Sequence, residues 1–192
     1  METNNRVHID HPAAEIIFQN NLGYFLSKLY DPLAPLIILC IGTDRSTGDC
    51  LGPLIGSKLE NANLQPYKVY GTLDQPVHAV NLQETIETIQ HNHKNPFILA
   101  IDACLGRTES VGFISIKEGS LQPGTGVNKT LPAVGDLQVI GIVNVGGFME
   151  YMVLQNTRLS MVMKMATIIS QGIIQALEKI APVDSSLIEA AP

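Results

Sequence analysis

The chain has 192 residues, 45% of them hydrophobic and 16% charged, with 12 Lys and Arg against 18 Asp and Glu for a net charge of −6 at neutral pH. That length suits one domain with a sizeable core, and that composition excludes a disordered chain. The acidic balance, with no Lys/Arg cluster, excludes nucleic acid as the expected partner. Three cysteines, an odd number, and a start (residues 1–11) with no apolar h-region lead us to expect a reducing, cytoplasmic setting.

Asp10-His11-Pro12 has the form of a helix start, a capping side chain followed by an early proline. Apolar residues then recur near helical spacing at Ile16, Ile17, Leu22, Phe25, Leu26 and Leu29, until Asp31-Pro32 and Pro35 stop the helix. Residues 36–41, Leu-Ile-Ile-Leu-Cys-Ile, form an unbroken apolar run, the pattern of a strand buried on both faces of a parallel sheet. A long turn over residues 42–53 follows, and the next helix is expected from near Asp49 to about Glu60. Residues 69–73 read as a short strand. Asn81-Leu82-Gln83-Glu84 resembles a capping box with Asn in place of Ser or Thr, opening a helix to about His91 that turns Ile86 and Ile89 inward.

Residues 97–101, Phe-Ile-Leu-Ala-Ile, are the second buried strand, and Asp102 follows directly. Residues 112–117 read as a strand nearer an edge. Residues 119–136, rich in Gly, Pro, Asn and Thr, form a loop of a length that is often functional. Residues 137–143 are a third buried strand, and Asn156 or Thr157 is expected to cap a C-terminal helix ending near Ile180. The apolar stretch 159–177 has the length of a membrane span. It also carries Ser160, Lys164, Ser170, Gln171 and Gln175, so a buried helix is expected and no membrane. Strands alternating with helices predict a single-domain α/β protein, a three-layer α/β/α sandwich with a mostly parallel central sheet. Its core spans about residues 12–180, with loose tails at 1–11 and 182–192.

Two aspartates carry the chemistry. Ligands of open α/β sheets sit at the carboxyl ends of the strands. Asp49 lies in the turn after the first buried strand and Asp102 ends the second. Two acids brought face to face must share a proton, so that one can act as base on water and the other as acid. Asp49 can also be read as the N-cap of the helix after it, and Asp44 as an ordinary turn residue. The turn has three glycines, of which Gly42 and Gly48 can supply unusual backbone angles, but it matches neither a Walker A loop nor a dinucleotide fingerprint. The segment Gln122-Pro123-Gly124-Thr125-Gly126-Val127-Asn128-Lys129 offers backbone donors, an amide and an ammonium to a substrate carbonyl, or is a plain turn. Cys40 reads as core. Cys50 and Cys104 flank the two acids, but no histidine has the spacing of a Cys–His pair. His8, His11, His78, His91 and His93 make no metal-ligand pattern, so neither a metal nor a cofactor is expected.

Three motifs, Asp49-Cys50-Leu51-Gly52-Pro53, Ile101-Asp102-Ala103 and Pro123-Gly124-Thr125-Gly126-Val127-Asn128-Lys129, occur in this order over a stretch of about residues 36–175 that is similar to the germination protease family of spore-forming bacteria. The chain most closely resembles the short YyaC-like sporulation proteins related to that protease. The resemblance implies a phosphorylase/hydrolase-like fold and an endopeptidase of atypical aspartate type. Asp49 and Asp102 would be the catalytic pair, with substrate contacts from Thr43, Asp44, Gly124, Thr125, Gly126, Asn128 and Lys129. It further implies a protein or peptide substrate such as the small acid-soluble spore proteins, a place in the forespore or spore core, and a homo-oligomer. This chain departs from the family in lacking one glycine between Val127 and Asn128, in being shorter, and in having no obvious propeptide. A non-catalytic regulatory or peptide-binding sporulation protein that keeps the protease fold is the alternative. The hydrogenase maturation endopeptidases are a second, partial resemblance. Cys50 stands where that group has its second acid, and the later loop lacks the histidine that the group uses for metal.

The apolar character of the C-terminal helix adds to the expectation of self-association. Leu159, Met161, Val162, Met163, Met165, Ile168, Ile169, Ile173, Ile174 and Leu177 cover more than one of its faces.

Overall fold

The computed structural model describes residues 5–62, 64–123 and 131–180. In chain order the elements are β1 (Arg6–His8), α1 (Ala14–Leu29), β2 (Leu36–Cys40), α2 (Leu51–Asn61), β3 (Lys68–Tyr70), α3 (Leu82–Asn92), β4 (Phe97–Gly106), β5 (Phe113–Glu118), β6 (Leu137–Val145), α4 (Glu150–Gln155) and α5 (Leu159–Ile180). The six strands form one sheet in the order β1-β5-β6-β4-β2-β3. The pairs β2–β3, β2–β4 and β4–β6 are parallel, while β1–β5 and β5–β6 are antiparallel. The molecule is thus a single α/β domain around a mixed, mostly parallel sheet.

Alternation along the two central strands divides their side chains between two cores, as the period of two requires. Ile38 and Cys40 of β2, with Leu99 and Ile101 of β4, face the side covered by α1, α2 and α5. Ile37, Leu39, Ile98 and Ala100 face the other side, where Leu82, Ile86 and Ile89 of α3 cover them. Both faces of β2 are therefore dry, which explains its unbroken apolar sequence. The cover by the described residues is unequal: α1, α2 and α5 lie on one side and α3 on the other, with the short α4 beside the cleft. The single helix α3 lies over β2 and the first half of β4. Beyond it, the same face of β4 and β6 presents Asp102, Cys104, Gln138 and Ile140 to a cleft.

Several boundaries differ from those expected. Residues 6–8, placed in a loose tail, pair with β5 as an antiparallel edge strand. Asp10 does not cap α1, whose N-cap position is Ala13 with no side-chain cap. It instead pairs with Lys164 of α5 at 2.6 Å. The capping box at Asn81 does not form either: its Oδ1 accepts the His78 N–H at 2.8 Å, behind the helix rather than within it. Strand β4 runs five residues past Ile101, since β6 goes on pairing with it across a bulge at Cys104/Leu105. Strand β6 is not continuously buried. Leu137, Val139, Gly141 and Val143 are buried, but Gln138, Ile140, Ile142 and Asn144 are half-exposed on the thinly covered face. Asn156 and Thr157 lie behind a short helix, α4, that the sequence reading missed. The Thr157 hydroxyl turns back to the Val153 carbonyl at 3.0 Å instead of capping α5.

Helix α5 is long and apolar enough to cross a membrane by length and composition, and half of that stretch, 50%, is buried inside the fold. It packs against α1 and α2 through Val162, Met165, Ala166, Ile169, Ile173 and Leu177. Most of its apolar excess is therefore answered within the domain. Leu159 and Met163 stay exposed, as do Phe148, Met149, Tyr151 and Met152 earlier in the chain.

Candidate functional site

The turn between β2 and α2 builds the first half of the site. Gly42 has φ +141°, and a Cβ there would collide with the Asp49 carbonyl, so only glycine lets the turn close on itself. Gly48 keeps an ordinary backbone angle; what its missing Cβ allows is the close approach of Leu154 and Thr157. The closed turn brings the Thr43 N–H to Asp49 twice, at 3.0 Å to Oδ2 and 3.2 Å to the carbonyl. Asp49 is therefore no N-cap of α2: that position is Cys50, which has no side-chain cap, and the Asp49 carboxylate accepts backward across the turn.

Asp102 builds the second half. The Ile41 N–H donates to the Ile101 carbonyl at 2.7 Å, so the turn carrying Asp49 leaves β2 beside Asp102. Asp102 is buried, with 7% of its surface exposed, and its Oδ1 accepts the N–H of Ala103 at 2.8 Å. Both carboxyls line one cleft of about 510 Å³. Burial raises the Asp102 carboxyl well above its ordinary range, and the charge of Asp49 raises it further, against the opposing pull of the Ala103 N–H. Burial also raises Asp49, but the Thr43 N–H and the neighbouring His78 both favour its charged form. The two environments thus differ. Both carboxyls are raised on balance, Asp102 the further of the two, and only at Asp49 does a neighbouring side chain, His78, favour the charge.

The structure distributes the other sequence candidates unevenly. Thr43 lines the cleft. Asp44 stands exposed on the turn, where its Oδ1 accepts the Thr43 hydroxyl at 3.5 Å, and it is not among the described residues that line the cleft. Gly124, Thr125, Gly126, Asn128 and Lys129 lie outside the described residues; Gln122 and Pro123, just before them, form part of the cleft wall. Cys104 also lines the cleft. Burial and the Asp102 charge push its thiol up to about 11 despite Lys117 and Arg6, which disfavours a thiolate nucleophile. Burial and Asp49 raise Cys50 as well. Among the described residues no three His, Cys, Asp or Glu side chains cluster as a metal-ion site.

Two features of the cleft escaped the sequence reading. One is α4, which contributes Glu150, Tyr151 and Leu154 to the rim. Its six residues are too short for a helical period to stand out. The other is His78, from the connection between β3 and α3, which stands in the same cleft as both acids. In sequence the histidines show no Cys–His spacing and no metal-ligand pattern; the fold nevertheless brings His78 to the acid pair. Its signal was tertiary, since the parallel bridge of Val77 to Ile41 draws that connection to the end of β2.

A search of solved structures finds a likeness to the [NiFe] hydrogenase maturation protease HycI from Thermococcus kodakarensis KOD1. The TM-score is 0.56 at 14% identity, covering 80% of this chain and 99% of that one, so the fold is one that a protease uses. In sequence, 166 residues are 60% identical to "Uncharacterized protein YyaC" of Bacillus subtilis (strain 168), covering 86% of this chain and 80% of that protein. Residues 6–172, from β1 into the last turns of α5, match the family described as "Protein of unknown function (DUF1256)", and with nearly the whole fold inside the match the chain belongs to that family.

Proposed function

We propose that this protein is a peptidase that hydrolyses peptide bonds with the pair Asp49 and Asp102 and needs no metal or cofactor to do so. The observation that carries the reading is two carboxyls in one cleft, both raised by burial, with Asp102 raised further by its neighbour's charge and Asp49 held back by the Thr43 N–H and His78. Ionised Asp49 takes a proton from water as the water oxygen attacks the scissile carbonyl carbon. Protonated Asp102 donates to the carbonyl oxygen as it becomes tetrahedral. As the C–N bond breaks, the proton held by Asp49 passes to the leaving amine, and Asp102 recovers its own when the carbonyl re-forms. Substrate contacts are assigned to Thr43, already at the cleft, and to Asp44, Gly124, Thr125, Gly126, Asn128 and Lys129. The last five follow in sequence on the cleft-lining Pro123.

The resemblance of the three motifs to the germination proteases extends the reading to its setting. The substrate class is a small acid-soluble spore protein, the compartment is the cytoplasm of the forespore or the spore core, and the enzyme self-associates. The fold shared with a maturation protease supports the reaction class without naming a substrate. The experiment is incubation with a purified small acid-soluble spore protein and with a panel of unfolded polypeptides, products read by mass spectrometry. Wild type should cleave after chelator washing. Asp49→Asn and Asp102→Asn should each lose at least about a hundredfold, the range for a positioned acid or base. Cleavage retained by both variants would defeat the reading. Specific capture of such polypeptides without cleavage would instead favour a peptide-binding protein on a protease fold.

A further inference from the structure

The connection from β3 to α3 is built around His78. The Gly42 N–H donates to the Val77 carbonyl at 2.7 Å, and Val77 bridges in parallel to Ile41. Asn81 clamps the same segment from the other side. Its Oδ1 accepts the His78 N–H at 2.8 Å and its Nδ2 donates to the Pro76 carbonyl at 3.0 Å. Residues 72–75 close into a turn through two bonds of 3.1 Å, Thr72 N–H to the Gln75 carbonyl and Gln75 N–H to the Thr72 hydroxyl. The backbone at His78 is therefore tied to the turn that carries Asp49, and the half-buried ring lines the cleft that holds both acids. The Val80 N–H donates to His78 Nδ1 at 3.3 Å. With Nδ1 engaged by that N–H, Nε2 is the ring edge left free of the bond. The exposed His11 accepts from the Ala13 N–H in the same way, so what sets His78 apart is its anchored backbone beside the acids.

We propose that His78 is the third member of this site, a positioning residue whose Nε2–H edge supports Asp49 and so fixes Asp49, rather than Asp102, as the carboxylate that takes the proton from water. The inference rests on the acid-pair reading above and adds to it the element that breaks the symmetry of two aspartates. The favourable action of His78 on the charged form of Asp49 puts the two side chains within electrostatic reach of each other. Arg45, Lys117 and Glu150 are the other charged side chains lining the cleft among the described residues. Arg45 belongs to the Asp49 turn itself and is exposed, whereas His78 is half-buried.

Two substitutions separate the positioning role from a structural one. His78→Asn keeps an oxygen near the place of Nδ1, able to accept from Val80, and removes the Nε2 edge. His78→Gln keeps a donor near the place of Nε2 and gives up the Nδ1 acceptor. The readouts are pH titration of the Asp49 and Asp102 carboxyl carbons by NMR and, where cleavage is seen, the pH profile of kcat. We expect the Asp49 midpoint to move up in His78→Asn and less in His78→Gln. The acid limb of kcat should move with it, and kcat should fall by about a hundredfold in His78→Asn, the cost of misplacing a catalytic group. An unchanged Asp49 midpoint in both variants would overturn the proposal. So would the reverse order, with His78→Asn matching wild type and His78→Gln disturbed, since that is the pattern of a loop brace. A shifted midpoint in a protein that cleaves nothing would uphold the coupling of His78 to Asp49 while the peptidase reading fails. If His78→Asn does not fold, the direction seen in His78→Gln decides.

Discussion

Replacing Asp102 by Asn removes a carboxyl that the fold drives toward its neutral form. In the unfolded chain this group ionises near pH ~4. In the folded chain burial, and after it the charge of Asp49, raise it well above 3.8. Above the unfolded value the native state therefore binds a proton that the unfolded state has released. The unfolding free energy then falls as pH rises, by up to about 1.4 kcal/mol for each pH unit, until the folded carboxyl itself ionises. Asn at 102 keeps an oxygen for the Ala103 N–H, which donates to Asp102 Oδ1 at 2.8 Å, and carries no charge to bury. Asp102→Asn should thus equal wild type in stability near pH ~4 and exceed it increasingly toward neutral pH. A chain of this length gains about 2–4 °C in Tm per kcal/mol. The assay is urea unfolding followed by circular dichroism across about pH 4 to pH 8 at constant ionic strength, with the difference between the two proteins plotted against pH. Asp49 titrates in both proteins, so most of its own contribution cancels in that difference. A flat difference, or a variant that loses ground to wild type as pH rises, would refute the burial of a proton at this site. The pattern would also place Asp102 among residues kept at the expense of stability, as active-site groups commonly are.

Other outcomes follow from the packing and the electrostatics. Leu51 opens α2, is fully buried and packs with Met165 over Gly141 of β6, so Leu51→Ala should cost about 2–5 kcal/mol in urea unfolding with the m-value unchanged. The Cys104 thiol, pushed up to about 11, should react slowly with iodoacetamide at neutral pH, and its labelling rate by mass spectrometry should climb with pH toward that value. Self-association should give a light-scattering mass above the monomer at tens of micromolar protein. Phe148→Asp should restore the monomer if the exposed apolar group around Phe148, which is itself 89% exposed, is the contact.

Local chemistry carried much of this protein in the sequence itself. Strands buried on both faces must be apolar at every position, and residues 36–40 and 97–101 announce themselves that way. Long helices with an inward stripe, such as α5, do the same through their period. The placement of an acid after each of those two strands was legible too, since an ionisable group rarely interrupts the end of a dry strand without a use. Elements whose reason for existing lies elsewhere in the chain were not legible. Strand β1 forms only because β5 offers it an edge, and its three residues have no pattern of their own. Asp10 looks like a cap until Lys164, 154 residues away in sequence, claims its carboxylate. Asn81 looks like a cap until the His78 N–H does. Which acid holds the proton depends on depth of burial and on neighbours, and neither is written in local spacing. His78 shows the limit most clearly. A histidine in a polar connection between a short strand and a helix carries no local mark of function. Only the bridge from Val77 to Ile41 brings it to the acids, because long-range backbone pairing is decided when the sheet assembles and not by the residues on either side of it.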